Sequence, residues 1–245
     1  MDEKARRVIP PPNIAPVISN FDEYALEAAI RLKEGAGGTI TVLTVGGPDS
    51  MDNIKRALAM GCDEGYLITD PAFEGSDAFG CAEVLAAAVR KVGAYDLLLF
   101  GRVSSDWSSG ATGSCVGEIL GLPVLTQVQK IEPLGQKLRV ERVLEDGYAV
   151  YEVPLPCLLT LSNEIGEPRL PSVPGILRAS RKKVPSWSAK ELGVDGGKVG
   201  DGASREDLLR LYVPRHESRC EIISGDTPEE AAVGLALRLR EKKII

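Results

Sequence analysis

Between residues 23 and 120, segments with helical spacing of apolar residues alternate with short β-branched runs. The helical segments cover residues 23–34, 51–61, 78–93 and 110–120, and the strand-like runs cover residues 37–47, 65–70 and 95–100. We expect Asp22 to cap the first helix, and Gly61 and Gly93 to end the next two. This alternation predicts a doubly wound, mainly parallel, Rossmann-like α/β sheet.

After Pro123 the pattern changes to closely spaced strand-like runs. They cover residues 124–133, 137–145, 148–155 and 157–162, with Leu134-Gly135 and Asp146-Gly147 as turn signals. Runs joined by such short turns predict an antiparallel extension of the parallel sheet.

From about Pro185 the chain is irregular and rich in glycine and charge, which is typical of an arm rather than of a connection inside a compact domain. A helix closes the chain, and Thr227, Pro228 and Glu230 predict a capping box at its start. We therefore divide the chain into an α/β domain, residues 1–184, and a C-terminal arm with a helix, residues 185–245.

Charge and hydropathy limit the function classes. A net charge of −6 gives no electrostatic support for nucleic acid binding. No apolar run approaches the roughly 18 residues of a membrane span, and the N-terminal MDEKARRVIPPP has no signal-peptide core. We expect no nucleic acid partner, no membrane insertion and a cytoplasmic location.

The sequence contains few candidates for catalytic or metal-binding residues. The one histidine, His216, lies in a charged stretch that predicts a solvated side chain, and neither a GxSxG turn nor a metal-spaced cluster is present. The five cysteines are widely spaced and odd in number, which predicts reduced packing residues. We expect no catalytic residue and no metal site, so the chain is predicted to bind a reactive group rather than to be an enzyme with its own nucleophile.

The run GRVSSDWSSGATG, Gly101 to Gly113, joins a predicted strand to a predicted helix. A strand, a Gly/Ser-rich turn and a helix N-terminus form a common phosphate site, because free N–H groups and the positive helix end face the anion. The run is neither a Walker loop nor GxGxxG, and a solvated capped turn is the alternative interpretation.

Several stretches, in this order, resemble the beta subunit of electron transfer flavoproteins. They include FDEYALEAAIRLKE, VLTVGGP, ALAMGCDEGYLITD, DLLLFGRVSSDWSSGATG and the long block KLRVERVLEDGYAVYEVPLPCLLTLSNEIGEPRLPSVPGILRASRKK. The similarity covers nearly the whole chain and also includes the closing helix with Lys243-Ile244-Ile245. It implies an adenine-nucleotide alpha-hydrolase-like fold.

The resemblance implies an electron carrier in a heterodimer with a flavin-carrying alpha subunit, which the C-terminal arm contacts. Such a carrier moves electrons from dehydrogenases of the acyl-CoA dehydrogenase type, as in fatty acid beta-oxidation, to a quinone reductase or another acceptor. It shares the FAD of the alpha subunit and holds AMP, or a second FAD in electron-bifurcating members, in its own fold.

The family's cofactor-binding positions carry over residue by residue. They correspond to Ser19, Asn20, Phe21, Asp22, Gly46, Gly101, Arg102, Val103, Ser104, Asp106, Ser108, Ser109, Gly110, Ala111 and Thr112. Phe21 matches the aromatic residue that reaches toward the flavin of the alpha subunit.

The family's partner-recognition loop corresponds to residues 167–181. The implied partner-binding residues are Val173, Pro174, Ile176 and Arg178. Val173 stands where the family often has a leucine that anchors a dehydrogenase, and Arg178 stands where a lysine is frequent. From its neighbours alone, an apolar residue between Pro171 and Pro174 is typical of ordinary loop packing.

The sequence departs from the family pattern in three places. The turn before the first helix reads Ser19-Asn20-Phe21-Asp22, where the family usually has Asn-Pro first. The loop has Trp107-Ser108-Ser109 where acidic residues and threonine or cysteine are common in the family. The family also begins with an apolar strand and a turn that would precede Met1. Because the first strand of a doubly wound sheet is central, we expect about 15–25 further N-terminal residues, enough for a strand and a turn.

Two alternatives remain open on the sequence. AMP and FAD use the same adenine and phosphate pocket, so the loop does not distinguish a carrier with AMP from a bifurcating subunit that oxidises NADH at its own FAD. A more remote alternative is an adenine-nucleotide-binding enzyme or sensor, which would need a phosphate loop after the first strand.

Overall fold

The computed structural model describes residues 8–9, 14–214 and 220–245 of the chain. These residues fall into two compact units, a larger one with residues 14–207 and a smaller one with residues 8–9, 208–214 and 220–245. The predicted solvated His216 lies outside the described residues.

The larger unit begins with alternating helices and strands. They are α1 (Asn20–Ala36), β1 (Thr41–Val45), α2 (Met51–Met60), β2 (Glu64–Ile68), α3 (Ala78–Val92), β3 (Leu97–Gly101) and α4 (Thr112–Leu120). Gly61 and Gly93 end α2 and α3 as predicted, each with a positive φ. The first helix begins earlier than predicted, with Ser19 as N-cap, so Asp22 lies inside its first turn.

Five further strands and two further α-helices follow in this unit. They are β4 (Val124–Leu134), β5 (Lys137–Leu144), β6 (Gly147–Pro154), β7 (Cys157–Leu161), α5 (Val173–Arg181), β8 (Ser186–Trp187) and α6 (Ala189–Leu192). Because β8 pairs with β2, residues 185–207 lie in the α/β unit in the structure, whereas the sequence had assigned them to the arm.

The strands form two sheets with helices on both faces, which confirms the predicted doubly wound α/β class. The first sheet is parallel, in the order β1-β2-β8. The second has the order β3-β7-β4-β5-β6, in which β3, β7 and β4 are parallel and β4, β5 and β6 are antiparallel.

The strand β7 corrects one prediction. The run 157–162 was expected to belong to the antiparallel extension, but β7 lies between β3 and β4 and is parallel to both. All five of its residues are buried. A continuous apolar run such as CLLTL is typical of a parallel strand covered on both faces, and this pattern is the physical reason for its central place.

The helices α1 and α3 each pack on both sheets. On α1, Leu26 packs against the same buried cluster as Val42 of β1, while Ala25 and Ala28 pack with β3 and β7. On α3, Val84 packs against β1, while Ala82 packs against β3 and β7. Alternate residues of each strand point to opposite faces, so the helix pair covers both sides of the region between the sheets.

The two sheets are not joined by a strand ladder. Among the described residues, nothing pairs with β1 on the side away from β2, or with β3 on the side away from β7. Each residue of these two strands is only half-buried. The packing of α1 and α3 therefore connects the sheets.

The smaller unit contains the closing helix α7 (Pro228–Glu241). The hydroxyl of Thr227 accepts a hydrogen bond of 3.3 Å from the Glu230 N–H, as predicted. The return bond of a capping box differs, because the Glu230 carboxylate accepts from the N–H of Asp226 rather than from that of Thr227.

Candidate functional site

The loop after β3 leads directly into the N-terminus of α4. Gly110 has a φ of +65°, which favours glycine, and Ala111 is the N-cap of the helix. An alanine has no side-chain acceptor for the first-turn N–H groups, so these donors stay available to a ligand. Gly113 lets the helix approach β7, since a Cβ there would lie 3.0 Å from Cγ2 of Thr160.

Internal hydrogen bonds shape the loop. Ser108 donates from its backbone to the Ser104 hydroxyl over 3.3 Å and from its own hydroxyl to the Ser104 carbonyl over 3.0 Å. The Asp106 carboxylate accepts from the N–H of Trp107 over 2.6 Å. Burial raises the pKa of Asp106, but the bonds from Ser104 and Trp107 outweigh it and the pKa is lowered. Asp106 therefore stays ionised and bound within the loop.

The turn before α1 lies against this loop. The Ser19 hydroxyl is 3.2 Å from the Ser105 hydroxyl and donates to the carbonyl of Val103 over 3.4 Å. The N–H of Asn20 donates to the Ser105 hydroxyl over 3.2 Å. Two segments that the sequence singled out separately thus form one surface.

Phe21 and Asp22 continue this contact at the end of β3. The guanidinium of Arg102 lies 4.7 Å from the centroid of the Phe21 ring, within cation–π range. The Asp22 carboxylate accepts from the Gly101 N–H over 2.9 Å. Burial raises the pKa of Asp22, the Gly101 bond lowers it, and the nearby Asp106 charge raises it, so the net direction is upward.

A cavity of about 310 Å³ opens beside the loop, at the carboxyl ends of β3 and β7 and near the start of β4. It is lined by Arg102, Val103, Gly110, Thr126, Gln127 and Thr160. The lining combines a guanidinium, an amide and two hydroxyls, and it contains no carboxylate. Such a donor set next to a helix N-terminus fits a phosphate group.

The remaining predicted cofactor residues have different surroundings. Ser109 is exposed, while Ala111 and Thr112 are half-buried where α4 begins. Gly46 follows β1 in the three-stranded sheet, where its N–H donates to the Ile68 carbonyl. A Cβ at Gly46 would meet the side chain of Ser50 in the turn before α2, so the contacts found for Gly46 are with its own sheet and with this turn.

Sequence reasoning missed four residues of this site. Ser105 makes the contacts to the α1 turn, and Thr126, Gln127 and Thr160 line the cavity. For Ser105, its place inside the Gly/Ser-rich run was a sufficient signal. The other three lie on strands that have the pattern of ordinary β-runs, and only the sheet order brings them to the loop.

The predicted partner-binding residues lie at the start of α5. The Ser172 hydroxyl caps the helix by accepting from the Gly175 N–H over 3.1 Å, and Gly175 is buried against Ala59 of α2. The outward face carries exposed Val173, Pro174, Ile176 and Arg178, with Leu170 and Leu177 as further exposed apolar residues. Val173 is 71% exposed, so it does not pack in the loop.

An ion-pair cluster connects α1 to the segment before α5. The buried Glu27 carboxylate accepts a hydrogen bond of 2.7 Å from Nε of Arg31 and one of 2.9 Å from Nε of Arg169. It also accepts a hydrogen bond from the backbone N–H of Arg169. Burial raises the pKa of Glu27, but these bonds outweigh it and the pKa is lowered. Arg31 also donates to the carbonyls of Ile165 and Glu167. The helix α1, whose start contacts the loop after β3, therefore also binds the segment before α5.

The described residues contain no group of three side chains that could hold a metal ion. Within the same residues, no helix has the length and apolar character needed to cross a bilayer. Burial raises the pKa of Cys62 to about 12 and that of Cys157 to about 11, so these thiols stay protonated at neutral pH.

Comparison with known proteins identifies the family of this chain. Residues 14–192 match the family model described as the electron transfer flavoprotein domain. Subunit CarD of the caffeyl-CoA reductase-Etf complex of Acetobacterium woodii is 38% identical over 230 residues, which cover 94% of this chain and 88% of the relative. The electron transfer flavoprotein subunit beta of Thermoanaerobacterium thermosaccharolyticum is 39% identical with the same coverage. Protein FixA of Azorhizobium caulinodans is 38% identical over 238 residues, 93% of this chain and 85% of the relative. The chain belongs to the electron transfer flavoprotein family, among its beta subunits, and takes part in electron transfer.

Proposed function

We propose that this chain pairs with an alpha subunit and holds an adenine nucleotide, AMP or FAD, at the loop Gly101 to Thr112. The heterodimer accepts electrons from dehydrogenases of the acyl-CoA dehydrogenase type and delivers them to a quinone reductase or another acceptor in the cytoplasm. The flavin supplies the redox chemistry, while the residues of this chain bind and orient the nucleotide. The chain is thus a carrier subunit rather than an enzyme.

The observation that carries the proposal is the donor-lined cavity beside the α4 N-terminus. Arg102, Gln127, Thr126 and Thr160 offer donors and no lining side chain is acidic. The helix end adds a positive dipole. A solvated capped turn, the alternative interpretation of this loop, needs neither the cavity nor a cation within it.

The exposed face of α5 supports the dehydrogenase part of the proposal. Val173, Ile176 and Leu177 are each more than half exposed, and Arg178 lies beside them. Apolar anchors surrounded by charged residues are typical of interfaces that form and separate. The opposite side of α5 packs against the rest of the unit, because Gly175 and Ala179 are buried there.

The test is coexpression with an alpha subunit, followed by purification and extraction of nucleotides. We expect a yellow 1:1 complex that releases either one FAD and one AMP or two FAD. A stable colourless monomer that ignores the alpha subunit would contradict the proposal.

A second candidate function is oxidation of NADH at a FAD held by this chain, with division of the electron pair between two acceptors. The relative in Acetobacterium woodii is named as a subunit of a complex between an Etf and a CoA-ester reductase, and Trp107, 60% exposed in the loop, offers an aromatic face to a flavin. Two FAD per complex and bleaching of one of them by NADH without oxygen would support this candidate. One AMP per complex excludes it.

A further inference from the structure

The strand β4 contains an extra residue where it passes the candidate site. Leu125 pairs with Leu159 of β7, and Val128 pairs with Leu161, so Thr126 and Gln127 together lie opposite Thr160. Two residues opposite one define a β-bulge, and bulges redirect side chains next to functional sites.

The bulge changes which residues of β4 face the core. Leu125 and Val128 both pack in the cluster with Ala25 and Ala28 of α1. In a regular strand, alternation would give Leu125 and Gln127 the same face. The extra residue therefore keeps Val128 in the core and leaves Gln127 exposed, beside the cavity.

Gln127 has a backbone conformation that residues other than glycine rarely adopt. Its φ is +57°, in the left-handed region. Its backbone N–H donates a hydrogen bond of 3.2 Å to the hydroxyl of the buried Thr160. The described part of the chain has three non-glycine residues with positive φ, and two of them, Ser108 and Gln127, lie at this site. Strained backbone of this kind concentrates at binding sites, where the surrounding structure holds it in place.

We propose, building on the nucleotide site proposed above, that Gln127 contacts the nucleotide by donating from its carboxamide to a phosphate oxygen. The bulge places Gln127 in the lining of the cavity, together with Arg102 and with Gly110, which directly precedes the N-cap of α4. The Thr160 hydroxyl, which accepts from the Gln127 backbone, fixes this geometry from within the sheet. A glycine would relieve the backbone strain but would lack the donor.

The experiment uses the purified heterodimer after removal of its nucleotides and measures the affinity for added AMP and FAD. Gln127→Ala should lower the affinity about tenfold, the effect of one charge-assisted hydrogen bond. Gln127→Glu, with nearly the same shape, should lower it about a hundredfold because a carboxylate repels the phosphate. Gln136→Ala, in the turn at the far end of β4, is the matched control and should bind as the unchanged protein does.

Gln127→Gly distinguishes a ligand contact from a structural bulge residue. It should raise the midpoint of thermal unfolding by about 2–4 °C because the strain is relieved, and it should still lose affinity like Gln127→Ala. Equal affinities of the Ala, Glu and Gly variants and the unchanged protein would overturn the Gln127 contact while leaving the nucleotide site intact. An unchanged protein that binds neither nucleotide would overturn the site itself.

Discussion

The backbone N–H of Gly101 donates a hydrogen bond of 2.9 Å to Oδ1 of Asp22, a residue 79 positions earlier in the chain. A Cβ on Gly101 would lie 2.6 Å from the carbonyl carbon of Phe21 and 2.8 Å from the nitrogen of Asp22. The end of β3 and the first turn of α1 are therefore in direct backbone contact, which glycine alone allows. This contact places the Ser19–Asn20 turn beside the loop that follows β3.

We expect Gly101→Ala to move the start of α1 away from the loop. Because the methyl group meets backbone atoms rather than a flexible side chain, the free energy of unfolding should fall by about 1–3 kcal/mol. Nucleotide retained through purification should fall as well. Gly47→Ala is the control, since its φ is −72° and no atom lies within 4 Å of its Cβ position. Equal stability of the two variants would contradict the contact.

We expect Glu27→Gln to weaken the connection between α1 and the partner segment. The amide cannot accept charge-assisted bonds from Arg31 and Arg169 equally well, so stability at neutral pH should fall by about 2 kcal/mol. Glu34→Gln changes an exposed partner of the same Arg169 and should leave the midpoint of unfolding unchanged.

The pH dependence of the Glu27 variant has a definite sign. The pKa of Glu27 is lower in the folded chain than in the unfolded chain, where it is about 4.3. Its stabilising contribution is complete above the unfolded pKa and is lost as the pH falls through the folded pKa. The stability difference between the unchanged protein and Glu27→Gln should thus shrink below about pH 4. A difference that grows on acidification would refute this assignment.

We expect Ser109→Glu to abolish nucleotide retention. Ser109 is exposed in the loop immediately before Gly110 and the α4 N-terminus. A carboxylate there competes with the phosphate for the positive helix end. Ser109→Gln has a similar size without the charge and should retain far more nucleotide. Unchanged nucleotide content in the glutamate variant would show that the loop only caps the helix.

We expect Val173→Ala to weaken electron transfer from the dehydrogenase without changing the fold. Burying one valine at an interface contributes about 1.5 kcal/mol, which corresponds to roughly tenfold in the dissociation constant. Because Val173 is 71% exposed, the unfolding midpoint should not move. Val92→Ala on α3 serves as the control for a surface valine outside the α5 face, and equal transfer rates for both variants would exclude Val173 as an anchor.

The sequence predicted elements whose signals are local. The alternating periods identified the α/β class, and Gly61 and Gly93 identified two helix ends because a positive φ favours glycine. The loop after β3 was recognisable as a candidate phosphate site because its glycines and serines lie within one short run, Gly101 to Gly113.

Features that depend on the order of strands in the sheets could not be predicted from the sequence in the same way. The central position of β7 and the bulge at Thr126 and Gln127 follow from pairings between strands more than 30 residues apart. Asp22 was predicted to be a helix cap because a local rule assigns it that role, whereas its partner Gly101 is distant in sequence.

The separation of the two sheets has a consequence for how the native state is held together. A continuous ladder couples its strands into one cooperative unit, whereas in the described part of the chain β1 and β3 are not paired and side chains of α1 and α3 pack on both sheets. Amide protons of the fully enclosed β7 should therefore exchange with solvent last, and those at the open margins of β1 and β3 should exchange sooner. Resistance to local opening is thus expected to be uneven, and the candidate nucleotide loop leaves the sheet from β3, a strand that should open more readily than its neighbour β7.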